Sequence, residues 1–179
     1  MVSNGSDSGV SILDLMCKDQ HSAALDHKRR RDELSKESKN WMELCKKYNE
    51  MSKTASVKAA EAKKERDECN AKIKELKEKR NEYHAKAASL KEKGGDEYEA
   101  ARLEGNKIHE EMMSYTKRGQ LAHSQMIQFY DDVNVSKKLA TAAYKKSKEC
   151  RKMADKEHEA FVGSMKFIKD MKDDMESDK

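Results

Sequence analysis

The sequence contains no proline, and aromatic residues occupy only 6% of its 179 positions. Proline interrupts long helices and is common in disordered segments, so its absence favours continuous helix over disorder. The hydrophobic fraction, 36%, is small for the core of a globule of this length. These shortages argue against both an ordinary globular domain and an unstructured chain.

Charge takes the place of the missing apolar residues, since 40% of the chain is Asp, Glu, Lys or Arg and the net charge is +4. Charge of this density, together with alanine and leucine, is typical of long solvated helices. The charge is unevenly distributed: residues 1–26 are acidic, residues 27–93 are strongly basic and residues 94–179 are nearly balanced. Positive charge is therefore concentrated in the first long helical segment.

The cysteines form no CxxC pair, which favours free thiols in a reducing compartment. They are Cys17, Cys45, Cys69 and Cys150. No stretch has the length and hydrophobicity of a membrane span or the pattern of a secretory leader. We therefore expect a cytoplasmic protein with no membrane partner.

An apolar or small residue recurs every seven positions from Leu34 to Leu90, and strict spacing of this kind predicts a left-handed coiled coil. The predicted seam comprises Leu34, Trp41, Tyr48, Ala55, Ala62, Cys69, Leu76, Tyr83 and Leu90. A second, less regular column slides between two adjacent heptad positions. It comprises Leu44, Met51, Ala59, Ile73 and Ala87.

A second helical segment after Gly94-Gly95 repeats the unit His-x-x-(Met/Phe)-(Met/Ile/Val) three times, at intervals that are multiples of seven. Its predicted seam comprises His109, Met112, His123, Met126, Tyr130, Tyr144, His158, Phe161, Met165 and Ile168. The histidines His109 and His123 would lie ~21 Å apart along one helix, so they cannot share a metal ion. We interpret them as polar seam residues that set register, and we predict no metal site and no cofactor.

Two glycines can reverse the chain, because glycine tolerates the positive backbone angles of a helix end. The predicted organisation is a disordered tail at 1–10, a first helix at 11–93 with an open question of a break at 18–27, a turn at 94–96, a second helix at 97–176 and a frayed end at 177–179. The two helices are nearly equal in length. The predicted fold class is thus all-α, a long antiparallel coiled-coil hairpin, with dimerisation left open because the seam is thin.

Three segments of the second helix, IHEEMM, AHSQMIQFY and ADKEHEAFVGSMKFIK, follow a charged run that includes KEKRNEYHAK. Across about residues 60–172 this set resembles a family of archaeal coiled-coil proteins, which are similar in turn to fungal coiled-coil proteins linked to brefeldin resistance and nuclear segregation. The resemblance implies a helical hairpin associated with ribosomes or messenger RNA. The archaeal proteins are sometimes labelled phosphoserine phosphatases.

The phosphatase label finds no support in the residues. Such an enzyme needs an aspartate nucleophile beside a strand and further carboxylates that hold magnesium. The paired aspartates Asp131-Asp132 and Asp173-Asp174 lie in predicted helix instead. We therefore predict that the protein is not an enzyme and has no small-molecule substrate.

The basic clusters of the first helix are the candidate nucleic-acid contacts, since repeated cations can follow a phosphate backbone. They are Lys28, Arg29, Arg30, Arg31, Lys63, Lys64, Arg66, Lys77, Lys79 and Arg80. Interspersed glutamates could neutralise this surface through i,i+4 pairs, which leaves an ordinary solvated face as the alternative. The leading hypothesis is a non-catalytic adaptor on ribosomes or other RNA-protein particles, and the alternative is a scaffold that binds proteins or itself.

Overall fold

The structure, a computed structural model, describes residues 12–177. Helix α1 spans Ile12–Leu90 and helix α2 spans Asp96–Ser177, and the described residues contain no strand. The two helices pack against each other, so the prediction of an all-α helical hairpin is confirmed. Helix α1 runs through 18–27 without a break. The predicted tail at 1–10 lies outside the described residues, as do the last two residues of the predicted frayed end.

The turn between the helices is built on Gly94 and Gly95, whose φ angles of 63° and 88° are positive, as predicted. Helix α1 ends at Leu90, three residues before the predicted boundary, and its last carbonyl accepts hydrogen bonds from the amides of Lys93 and Gly94. Helix α2 then begins at Asp96 with acidic side chains in its first turn, where they complement the helix dipole.

The seam of α1 follows one strict heptad. Position d carries the predicted column from Leu34 to Leu90, in which Cys69 and Leu76 are buried. Position a carries Cys45 and Ser52, both buried, whereas Leu44 and Met51 are exposed. The predicted second column was therefore wrong at these two places. Both Leu44 and Cys45 lie three and four residues from the flanking d positions, so the spacing alone does not choose between them. The facing helix covers the side of the d column that carries Cys45, Ala59 and Ala87, and the more hydrophobic Leu44 is left exposed.

The seam of α2 also follows one heptad, and the predicted column with Met112, Met126, Phe161 and Ile168 occupies its position a. The other predicted column was wrong by one residue. The buried residues are Ile108, Ala122 and Ala143, whereas the side chains that follow each of them are exposed. These exposed residues occupy position e, beside the seam: His109, His123, Tyr130, Tyr144, His158 and Met165.

Small residues dominate the buried seam, which lets two helix backbones approach closely. The buried alanines are Ala24, Ala55, Ala59, Ala62, Ala87, Ala101, Ala122, Ala140, Ala143 and Ala154. Larger apolar side chains, among them Leu103, Leu121 and Val135, are exposed instead. Register, and not hydrophobicity alone, therefore decides which residues are buried.

The chain divides into two compact units, each formed by a segment of both helices. The terminal unit comprises Met1–Lys47 and Leu139–Lys179, and the turn unit comprises Tyr48–Lys138. In the terminal unit, Ser38 Oγ donates to the carbonyl of Ser147 (2.9 Å) and Ser147 Oγ donates to the carbonyl of Ser38 (2.8 Å). This reciprocal pair ties the two helices together at one layer of that unit.

Candidate nucleic-acid interface

The run Lys28-Arg29-Arg30-Arg31 does not form one patch. Successive helical residues are turned by about 100°, so four adjacent cations point in four directions. Arg29 pairs with Asp26 at 3.3 Å. Arg31 turns to the seam, where its guanidinium pairs with Asp32 at 2.7 Å and lies 5.9 Å from the ring centre of Phe161 on α2.

Arg66 and Arg80 occupy seam position a, as Arg31 does. The Arg66 guanidinium pairs with Asp67 at 2.6 Å and lies 3.5 Å from the sulfur of Met126. The Nε of Arg80 is buried without a hydrogen-bond partner. Since the side chains of all three arginines are partly buried, they do not form an exposed row for a phosphate backbone.

Two further predicted contacts of the turn unit are paired with carboxylates of their own helix. Lys64 lies 3.8 Å from Glu68, and Lys79 lies 2.6 Å from Glu75. Hydrogen bonds from Lys79 and Lys72 lower the pKa of the Glu75 carboxyl to about 2. Glu75 thus binds two lysines at once, and the cluster keeps a net charge of +1.

Like Lys28 and Arg30 of the terminal unit, Lys63 and Lys77 have no ion-pair partner in the described chain. Both are exposed, and both occupy position e of α1, two heptads apart. Asn70 lies between them in the same column, and His84 follows one heptad later. An ordered row of two lysines, an amide and an imidazole therefore runs along one edge of the seam.

The e column of α2 borders the same edge. Asn70 of α1 lines one groove together with Thr116 and His123 of α2. Lys63 lines a second groove together with Tyr130. We call this surface the lysine-histidine face, and it comprises Lys63, Asn70, Lys77, His84, His109, Thr116, His123 and Tyr130.

Carboxylates are scarce on the lysine-histidine face. The neighbouring b column of α2 contributes Met113, Gln120 and Ile127, none of which is acidic. Asp67 and Glu68 line the groove of Lys63 and Tyr130, and they pair with Arg66 and Lys64. At the opposite edge of the seam, Glu65 of α1 pairs with Arg118 of α2 at 3.2 Å. The turn unit therefore has unpaired lysines at one edge and an interhelical ion pair at the other.

Gly105 and Gly119 sit at seam position a beside this face, two heptads apart, where a glycine can serve close backbone approach or a bend, or simply be tolerated in a long helix. A Cβ at Gly119 would lie 3.3 Å from Cβ of Cys69, and one at Gly105 would lie 2.7 Å from the ring of His84. The geometry therefore favours close approach. It also places His84 over Gly105 and opens the groove beside Gly119.

The described residues hold no group of three or more His, Cys, Asp or Glu side chains that could bind a metal ion. Asp131 and Asp132 are exposed residues within α2. No helix in the described range has the length and apolar character needed to cross a membrane. None of the four cysteines, all within the described residues, forms a disulfide, and burial raises the pKa of the Cys150 thiol.

Comparison of the chain with protein-family models, with curated proteins and with solved structures found no match. The fold itself therefore defines the class of protein, an antiparallel pair of long helices with a heptad seam. The likeness to archaeal coiled-coil proteins stays an expectation based on the quoted motifs.

Sequence reasoning identified Lys63 and Lys77 but did not separate them from the eight other cations of the candidate list. It also missed Asn70 and Thr116 and assigned the histidines to the seam. The heptad position of each residue contained the missing signal, because Lys63, Asn70, Lys77 and His84 are spaced by seven. A search for apolar residues at seven-residue spacing does not detect this column, because its residues are polar.

Proposed function

We propose that this protein is a non-catalytic coiled-coil adaptor that associates with ribosomes or other RNA-protein particles through the cations of its first helix. The observation that carries the proposal is the pair Lys63 and Lys77, which are exposed, aligned on one edge and without carboxylate partners. Cations that are not neutralised within the protein are available to phosphates and release counterions on binding.

The first test is fractionation of native lysate on a sucrose gradient, with detection of this protein in each fraction. We expect the protein to sediment with large RNA-containing particles at low salt and to move to the top after ribonuclease or high-salt treatment. A protein that stays at the top at low salt contradicts the proposal.

A pair of matched variants separates a defined interface from general charge. Lys63→Glu with Lys77→Glu reverses two unpaired lysines, whereas Lys53→Glu with Lys79→Glu makes the same charge change at lysines that already pair with Glu50 and Glu75. We expect the first variant to leave the particle fractions and the second to be retained in them. Equal loss from both variants would indicate that net charge alone drives the association.

The scaffold is the second candidate function, and the exposed apolar side chains favour it. Leu103, Leu121 and Val135 of α2 are each more than half exposed, at 58%, 60% and 55%. Large apolar groups on a surface can mark a protein contact. A discrete oligomer in sedimentation velocity, unchanged by ribonuclease and by Lys63→Glu with Lys77→Glu, would favour this candidate over the adaptor.

A further inference from the structure

We infer that the lysine-histidine face is a binding surface for single-stranded nucleic acid, with phosphates on the lysines of α1 and bases on the rings of α2. The inference rests on the proposed function and goes beyond it, because it assigns the face, the type of nucleic acid and a separate role to each helix. It is carried by the arrangement of the two e columns in the turn unit.

The lysine column supplies the phosphate contacts. Lys63 and Lys77 are fourteen residues apart on α1, a separation of ~21 Å along the helix. This distance suits an extended strand that follows the edge of the seam. Asn70 lies midway and offers an amide for a further polar contact.

The column of α2 supplies flat side chains beside these cations. Tyr130 is 47% exposed and lines one groove together with Lys63. His123 is also exposed and lines another groove together with Asn70. Proteins that bind single strands combine a positively charged track with aromatic rings on which successive bases stack. Both parts occur here within one edge of the turn unit.

The apolar residues next to the rings favour unpaired bases over a duplex. Met113 and Ile127 are exposed, at 42% and 47%, and each lies four residues after a histidine of the face. A duplex keeps the faces of its bases stacked inside, so it would reach the lysines through phosphates and leave these rings and methyl groups in water. An unpaired strand can cover them.

The test compares fluorescence anisotropy of the full chain with a twelve-nucleotide oligouridylate and with a twelve-base-pair RNA duplex at one salt concentration. The variants are Tyr130→Ala and its matched control Tyr144→Ala, which removes an equally placed e-column tyrosine that is 43% exposed in the terminal unit. We expect the single strand to bind more tightly than the duplex. We also expect Tyr130→Ala to weaken single-strand binding about tenfold and Tyr144→Ala to leave it unchanged.

Each other outcome has a distinct meaning. Binding of both RNAs with equal affinity, or equal effects of the two tyrosine variants, would overturn the inference and leave the adaptor proposal in place. Binding of neither RNA, with the protein still helical by circular dichroism, would overturn both. Competition by a polyglutamate peptide as effective as that by oligouridylate would indicate an acidic protein partner and would likewise overturn the inference.

Discussion

The space available at a single position of this protein limits its side chain as much as polarity does. Gly119 faces the buried Cys69, and Gly163 faces open space. Arg66 occupies a seam position that most coiled coils give to an apolar residue, and it extends past Met126 to reach Asp67. Substitutions at these positions are therefore expected to change the free energy of unfolding in different ways.

Replacement of glycine by alanine is expected to stabilise α2 at position 163 and not at position 119. The Cβ added at Gly163 meets nothing within 4 Å, so Gly163→Ala should raise the free energy of unfolding by up to ~1 kcal/mol through helix propensity. The Cβ added at Gly119 lies 3.3 Å from Cβ of Cys69 and requires the helices to separate. Urea denaturation followed by circular dichroism measures both, and an equal gain would disprove close approach at Gly119.

Arg66→Leu is expected to raise the free energy of unfolding by about 1 kcal/mol, because an apolar side chain replaces a partly desolvated charge in the seam. Asp67, the lost partner, has 53% of its side-chain surface exposed and returns easily to water. The same variant should weaken RNA binding much less than Lys63→Glu does. A large loss of RNA affinity would instead place Arg66 at the interface.

At the scale of the helices, the heptad positions of α1 differ in their electrostatic character. The e column of its turn-unit segment holds unpaired lysines, whereas Glu75 is hydrogen-bonded to Lys72 at 2.9 Å and to Lys79 at 2.6 Å. Both contacts join residues three or four positions apart, which is the spacing that aligns side chains on one helix face. The cluster makes the stability of this segment dependent on pH.

The carboxyl of Glu75 should titrate well below an ordinary glutamate, with a pKa near 2 in place of 4.5. A folded-state pKa that is lower than the unfolded one adds stability above pH 4.5, and this stability is lost as the pH falls from 4.5 to about 2. Carboxyl-carbon NMR titration measures the pKa directly. Because the group is solvated, 1 M salt or Lys79→Met should move it back toward 4.5, and a normal value at low salt would contradict the structure.

At the scale of the whole chain, a net charge of +4 is modest for a protein that binds RNA by charge alone. Its distribution is what matters, since Lys63 and Lys77 lie on the lysine-histidine face without carboxylate partners. Binding should therefore depend on a small number of phosphate contacts. The number of these phosphate contacts can be measured from the salt dependence of the RNA affinity.

The logarithm of the RNA affinity should fall linearly with the logarithm of the salt concentration. For a single strand each neutralised phosphate contributes about 0.7 to the slope, so Lys63→Ala with Lys77→Ala should reduce its magnitude by about 1.4. Lys53→Ala with Lys79→Ala, at lysines that pair with Glu50 and Glu75, should leave the slope nearly unchanged. Equal reductions in the two double variants would mean that these lysines contribute through net charge and not through contact.

Much of the fold was accessible from the sequence. The lack of proline, the dense balanced charge and the seven-residue period of the column from Leu34 to Leu90 indicated two long helices, and Gly94-Gly95 located the turn between them. These signals are local, because helix propensity and periodicity are properties of consecutive residues. They determined the class of fold without reference to any contact.

Only the tertiary structure decided which side of each helix is buried. His109, His123 and Tyr130 lie next to Ile108, Ala122 and Phe129, and a shift of one residue separates a seam from an exposed edge. Small residues are the ones buried against the facing helix, because two close backbones leave little room between them. The same packing partly buries Arg31, Arg66 and Arg80 at the seam and leaves Lys63 and Lys77 exposed on the edge that also carries the rings of α2. No local pattern contains this juxtaposition, because the residues are distant in sequence.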